Sequence, residues 1–122
     1  MTLLKSLLIL IVAILHFYFM VLEMILWTKP QGLKVFRMTL EHAKTTEALA
    51  ANQGLYNGFL VAGLVWSLIH PEANFAYQLS VFFLSCVIAA GLYGGHTVNK
   101  RIVVIQALPG LLALLSVVFI GQ

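Results

Sequence analysis

Charge is what this chain has least of. Only 9% of its 122 residues are charged, against roughly 25% in an ordinary soluble domain. With 61% hydrophobic residues, a soluble fold of this length could not hide its apolar surface, whereas lipid accepts it. Cysteine is nearly absent. Cys86 stands alone inside an apolar run, which excludes an intramolecular disulfide and argues against a cysteine-based zinc site. Acids are few: four, against seven lysines and arginines, for a formal charge of +3. A basic balance can signal nucleic acid, but here the basic residues sit in short gaps between apolar runs. Membrane topology accounts for them, and no nucleic-acid partner is expected. A phosphate-binding glycine loop, a Ser-His-Asp pattern and a dinucleotide fingerprint are all missing. So is metal-ligand spacing such as His-x-x-x-His or Glu-x-x-His, and neither a metal nor a cofactor is expected. No internal repeat or low-complexity tract is visible.

What the chain does have is four apolar segments, at about 3–27, 48–69, 75–98 and 102–120. Each is close to the roughly 20 residues a helix needs to cross a ~30 Å hydrocarbon core. Strands are excluded, because a barrel needs many alternating segments of about ten residues. The first run is too long for a signal peptide and no small-residue cleavage site follows it, so it reads as a permanent span. His70-Pro71-Glu72-Ala73-Asn74 and Asn99-Lys100-Arg101 are short links that force neighbouring helices to be antiparallel. The longest connection, 28–47, opens with the turn signature Lys29-Pro30-Gln31-Gly32. Thr39 is placed to cap a helix running from Leu40 straight into the second span. Leu33, Phe36 and Leu40 lie beside Lys34, Arg37 and Lys44, a pattern that suits the membrane surface. The expected fold is an all-α membrane protein. It is a single domain over 1–122, a four-transmembrane-helix antiparallel bundle with an interfacial segment between helices 1 and 2.

Charge sets the expected orientation. Lys29, Lys34, Arg37 and Lys44 in the first loop and Lys100 and Arg101 in the third share one side; the other side has only Lys5. The positive-inside rule then places both loops in the cytoplasm and both termini outside, in the cell membrane. Gly54, Gly58 and Ala62 lie on one face of the second span, and Gly91 and Gly95, with Ala90 and Gly94, mark the third. Small faces allow close approach, so these two helices are expected to pack together at their cytoplasmic halves. Pro109 should kink the fourth span, free a carbonyl near Ile105 and turn that kink towards protein. Trp27, Tyr18 and Trp66 read as interface anchors, and Cys86 as a small apolar residue.

Glu23 most needs explaining. It lies in Met20-Val21-Leu22-Glu23-Met24-Ile25-Leu26-Trp27, where a carboxylate costs several kcal/mol unless paired or near water. Asn52, Gln53 and Asn57 of the second span, Tyr93 and His96 of the third and Gln106 of the fourth fall at a similar depth. The opposite half is expected to hold almost no such side chains. His16 is seven residues before Glu23 on the same helix face, roughly 10 Å away along the axis. Together these residues suggest a deep polar pocket or a proton path. The plainer reading is interhelical glue, with each hydrogen bond contributing about 0.6–2 kcal/mol. That reading stays open for Asn52, Gln53, Asn57, His16 and His96, and is least suited to a carboxylate.

Leu15-His16-Phe17-Tyr18-Phe19-Met20-Val21-Leu22-Glu23-Met24, with Trp27 and Phe36 after it, resembles the opening of the DUF1304 family. Ala51-Asn52-Gln53-Gly54-Leu55-Tyr56-Asn57-Gly58-Phe59-Leu60 resembles that family's most distinctive motif. Gly91-Leu92-Tyr93-Gly94 and Gln106-Ala107-Leu108-Pro109 are similar to its later segments. The resemblance covers nearly the whole chain. It implies a small bacterial membrane protein of unknown function, with His16, Glu23, Asn52, Gln53, Asn57, Tyr93 and Gln106 inside family motifs.

Three functions are compatible with this pattern. One is binding or transport of a small lipophilic or cationic molecule through a cytoplasm-facing polar pocket. Its architecture alone resembles small multidrug-resistance transporters, and a homodimer is expected because four short helices enclose little space. Another is an intramembrane enzyme acting on a lipid-soluble substrate, with Glu23 and His16 or His96 as acid and base. The third is an accessory protein whose small-residue face docks a larger membrane partner.

Overall fold

The computed structural model describes residues 2–120. The described chain is helical, without strands, and forms six α-helices and one π-helical turn. α1 runs Leu3–Met24, α2 Pro30–Phe36, α3 Leu40–Thr45, α4 Glu47–Ile69, α5 Ala73–Thr97 and α6 Leu108–Phe119, with the π-turn at Val103–Ala107 leading into α6.

Local chemistry explains most of the boundaries. The Thr2 hydroxyl accepts from the Lys5 N–H and opens α1, whose 22 residues contain neither glycine nor proline. Pro30 sits in the first turn of α2, where a missing N–H costs nothing. α2 closes on Arg37, whose φ of 51° is the left-handed conformation of a helix C-terminus. Thr39 does cap α3, accepting from His42 N–H at 3.1 Å. The helix it starts does not run unbroken into α4, however. Thr46 interrupts it with φ −109° and ψ 7°, and its hydroxyl donates back to the His42 carbonyl at 2.8 Å. α4 stops at His70, which is extended, as the residue before a proline prefers to be. Glu72 N–H then donates to His70 Nδ1 at 3.1 Å and closes the turn to α5.

Contacts between elements define a ring. α1 packs along α4, α4 along α5, α5 along the π-turn and α6, and α6 back along α1. Ile9, Val12 and Ala13 of α1 meet Leu64 of α4, Leu84 and Val87 of α5 and Ala113 and Val117 of α6 in one core. The small-residue faces do not face each other as expected. A Cβ at Gly54 or Gly58 would meet Met20 or Met24 of α1, while one at Gly91 or Gly95 would meet Ala107 or Val103 of the π-turn. Spacing announces close approach without naming the partner. Where α4 does approach α5, Gly63 supplies the space, against the Phe83 ring, and Ala62 is exposed.

Pro109 behaves differently from a simple kink. The helix before it widens, so that the Leu108 N–H reaches back to the Val103 carbonyl. Trp27 is not a free anchor either. Its indole N–H donates to the Thr46 hydroxyl at 3.1 Å, and its ring lies 4.8 Å from that of Phe36, pinning the α2–α3 connection to the end of α1.

α1 and α5 are long and apolar enough to cross a membrane, with mean hydropathies of 2.5 and 1.9. α4 is as long but carries Glu47, Asn52, Gln53 and Asn57 in its first half. The fourth rod, π-turn included, is a shorter apolar stretch over Val103–Phe119.

Candidate functional site

The inward stripe of α1 carries three titratable side chains. Lys5, His16 and Glu23 are 2%, 0% and 9% exposed. At 100° per residue, eleven and seven positions return to within about 20° of the same direction, so all three share one face. Ile9 and Val12 fill that stripe between Lys5 and His16.

Glu23 is held by α4. Asn57 Nδ2 donates to Glu23 Oε1 at 2.5 Å. The local sequence explains the reach. Gly54, one turn before Asn57, lets the α4 backbone come so near that a Cβ there would lie 3.1 Å from Glu23 Cβ and 3.2 Å from the Met20 carbonyl oxygen. No other hydrogen bond reaches the Glu23 carboxyl from the described residues. Among those residues no fully buried side-chain oxygen lacks a partner, so Glu23 Oε2 is not fully enclosed.

His16 is held from the other side of the ring. Its Nδ1 lies 2.8 Å from the Val12 carbonyl oxygen. A carbonyl only accepts, so Nδ1 carries the proton. Nε2 lies 3.0 Å from the Gln106 side-chain amide, a group that offers the ring a donor from its nitrogen or an acceptor from its oxygen. The Phe19 ring meets it edge-on at 5.8 Å. Gln106 reaches His16 from the π-turn, whose next residue, Ala107, packs its backbone on Gly91. Such turns often occur where a side chain must be re-aimed.

The other sequence candidates stand apart from these two pairs. Asn52, Gln53, Tyr93 and His96 are on the exposed surface, with Tyr93 71% exposed. Depth along each helix does not say in which direction a side chain points, and these four point outward. His16 and Glu23 are not joined, since their hydrogen bonds go to different helices. Among the described residues no three His, Cys, Asp or Glu side chains converge as a metal site would need.

Lys5 is the buried residue that sequence reasoning did not single out. Counted there only as the one basic residue of its side, it lies inside the ring, three turns from His16 on the same face. Three serines are buried at the same end of the ring, one on each remaining rod. Ser67, Ser80 and Ser116 donate to their own helices' carbonyls at Leu64, Ala76 and Ala113, at 2.6, 2.8 and 2.6 Å. The expectation that this half holds almost no polar side chains is therefore wrong.

A family model described as protein of unknown function, DUF1304, matches residues 10–118. The chain is similar to the uncharacterized protein YpaA of Lactococcus lactis subsp. lactis, 34% identical over 121 residues, covering 98% of this chain and 100% of that relative. No solved structure matches. His16, Glu23, Asn57 and Gln106 all fall inside the matched segment, and the chain belongs to the DUF1304 family.

Proposed function

We propose that this is a four-span integral membrane protein that binds, and in a dimer transports, a small cationic or lipophilic molecule at Glu23. The membrane reading draws on the outer surface of the ring. Leu3, Ile11, Ile14, Phe17, Phe59, Ile69, Phe82 and Phe119 are all exposed, and each would forgo about 1.5–3 kcal/mol of burial if left in water. Two helices have the length and hydropathy to cross. The other two rods would cross as partners, with α4's polar Asn57 turned inward and the π-turn satisfied against α5. α2 and α3 would lie at the cytoplasmic surface.

The observation that carries the binding reading is the state of the Glu23 carboxyl. One oxygen is fixed by Asn57, and the other takes no hydrogen bond from the described residues and is not fully enclosed. An anchored carboxylate with one accessible oxygen can exchange a proton for a cationic ligand without breaking the contact that positions it. A general acid–base pair is less well supported, because His16 and Glu23 are engaged separately.

One observation favours a second reading. No buried side-chain polar atom lacks a partner among the described residues, as expected of polar groups that only fasten helices together. The two readings part at Glu23→Gln, which keeps the oxygen that Asn57 needs and removes the charge. Thermal unfolding in mild detergent, across pH and a library of lipophilic cations and lipids, should reveal a ligand that stabilises the wild type and not the variant. Equal behaviour of the two proteins under every condition would leave Glu23 as a fastener.

A further inference from the structure

The face of the π-turn that points away from His16 shapes a second feature. Between α5 and the π-turn–α6 rod runs an open groove of about 420 Å³, its lining wholly apolar, with Ala107 at the rod and Ile88, Leu92, Val104, Leu108 and Leu111 along its walls. From Val103 to Leu111 it extends about 12 Å along the rod. Its form follows from the sequence. Gly91 has no side chain, so the Ala107 backbone settles directly on α5, while Ile88 and Leu92, each one turn or less away, stand up as one wall.

The groove has a charged end. Lys100 and Arg101, both exposed, lie in the short link just before Val103. No carboxylate bonds to either side chain among the described residues. Tyr93, next in sequence to the lining residue Leu92, is exposed, and on the four-span reading its phenol suits the headgroup region. An apolar slot with two exposed cations two and three residues before its lining residue Val103 matches an amphiphile with a hydrocarbon chain and a negatively charged head. Basic pockets at the cytoplasmic ends of membrane helices are suited to such headgroups.

We propose that this groove is a binding site for an anionic phospholipid, with one acyl chain lying along Leu92, Val104, Leu108 and Leu111 and the phosphate between Lys100 and Arg101. The site rests on the four-span reading but not on Glu23, and it lies outside the buried pairs. Because the groove shares the π-turn with Gln106, an occupied groove braces the same turn that holds His16.

The test is native mass spectrometry of the full chain released from nanodiscs holding equal amounts of phosphatidylglycerol and phosphatidylcholine. The wild type should retain phosphatidylglycerol over phosphatidylcholine by on the order of tenfold. Replacing both cations (Lys100→Gln with Arg101→Gln) should bring the two lipids to near parity. Val104→Trp, which fills the groove without changing charge, should reduce retention of both. Equal retention of the two lipids by the wild type, or an unchanged preference in the charge variant, would overturn the site and leave the four-span reading intact. A chain that fails to enter nanodiscs, with tryptophan fluorescence untouched by brominated acyl chains, would overturn both.

Discussion

Glu23 and Asn57 form a pair whose contribution can be measured one residue at a time. Asn57→Leu removes the donor and leaves a carboxyl oxygen unbonded in a buried setting, at an expected cost of about 1–3 kcal/mol. Glu23→Leu strands the Asn57 amide in the same way. The double variant replaces both groups by hydrocarbon and should cost clearly less than the sum, because neither polar group is then stranded. Unfolding in detergent followed by circular dichroism supplies the four values. Simple additivity would mean that the two side chains do not depend on each other. The pair was half legible in advance. A glutamate within an apolar run demands a partner, and depth along the antiparallel helices picked out Asn57 at its level; Gln106, expected at that level too, instead meets His16 two turns deeper. Depth could not separate them from Asn52, Gln53, Tyr93 and His96, because that requires knowing which face of each helix is turned inward. Lys5 was missed because a lysine near a helix end normally reaches for water; its burial shows only in its register with His16.

Among the helices, close approach is concentrated at glycines, and their environments differ enough to rank them. A Cβ at Gly91 would lie 2.6 Å from the Ala107 nitrogen and 2.9 Å from its Cα, both backbone atoms of the π-turn. Gly91→Ala should therefore destabilise by about 1–3 kcal/mol, as overpacking does. At Gly58 the nearest atom is the Met20 sulfur at 3.0 Å, the flexible part of a long side chain. Gly58→Ala should stay within about 1 kcal/mol of wild type, since the gain in helix propensity offsets the crowding. Melting temperatures of the two variants, read side by side, check the order; a reversed order would mean that the π-turn yields more easily than Met20. Helix positions were largely legible, because apolar runs bounded by Pro30, Pro71 and Asn99 leave few choices. The π-turn was not. Pro109 announces a disturbance, but whether the helix bends or widens depends on what it packs against, here the Gly91 surface of α5.

For the whole molecule, the four-span reading makes a prediction about sidedness. In a Cys86→Ser background, cysteines introduced by Lys34→Cys and Lys100→Cys should react with an impermeant maleimide only from the cytoplasmic side, and one at Asn74→Cys only from outside. Labelling of Asn74→Cys and Lys100→Cys from the same side would rule out α5 as a crossing helix. The sidedness expectation rests on counts of basic residues in loops, whereas the order of helices around the ring depends on contacts that no count reveals. The ring also has a history in time. Glu23 finds its partner 34 residues later in the chain and His16 finds its own 90 residues later. Synthesis thus releases the helix with the most ionisable interior first, long before the residues that satisfy it exist. Until the final rod emerges, His16 lacks the Gln106 contact that holds it, so the order in which partners leave the ribosome sets which buried polar groups wait longest for one.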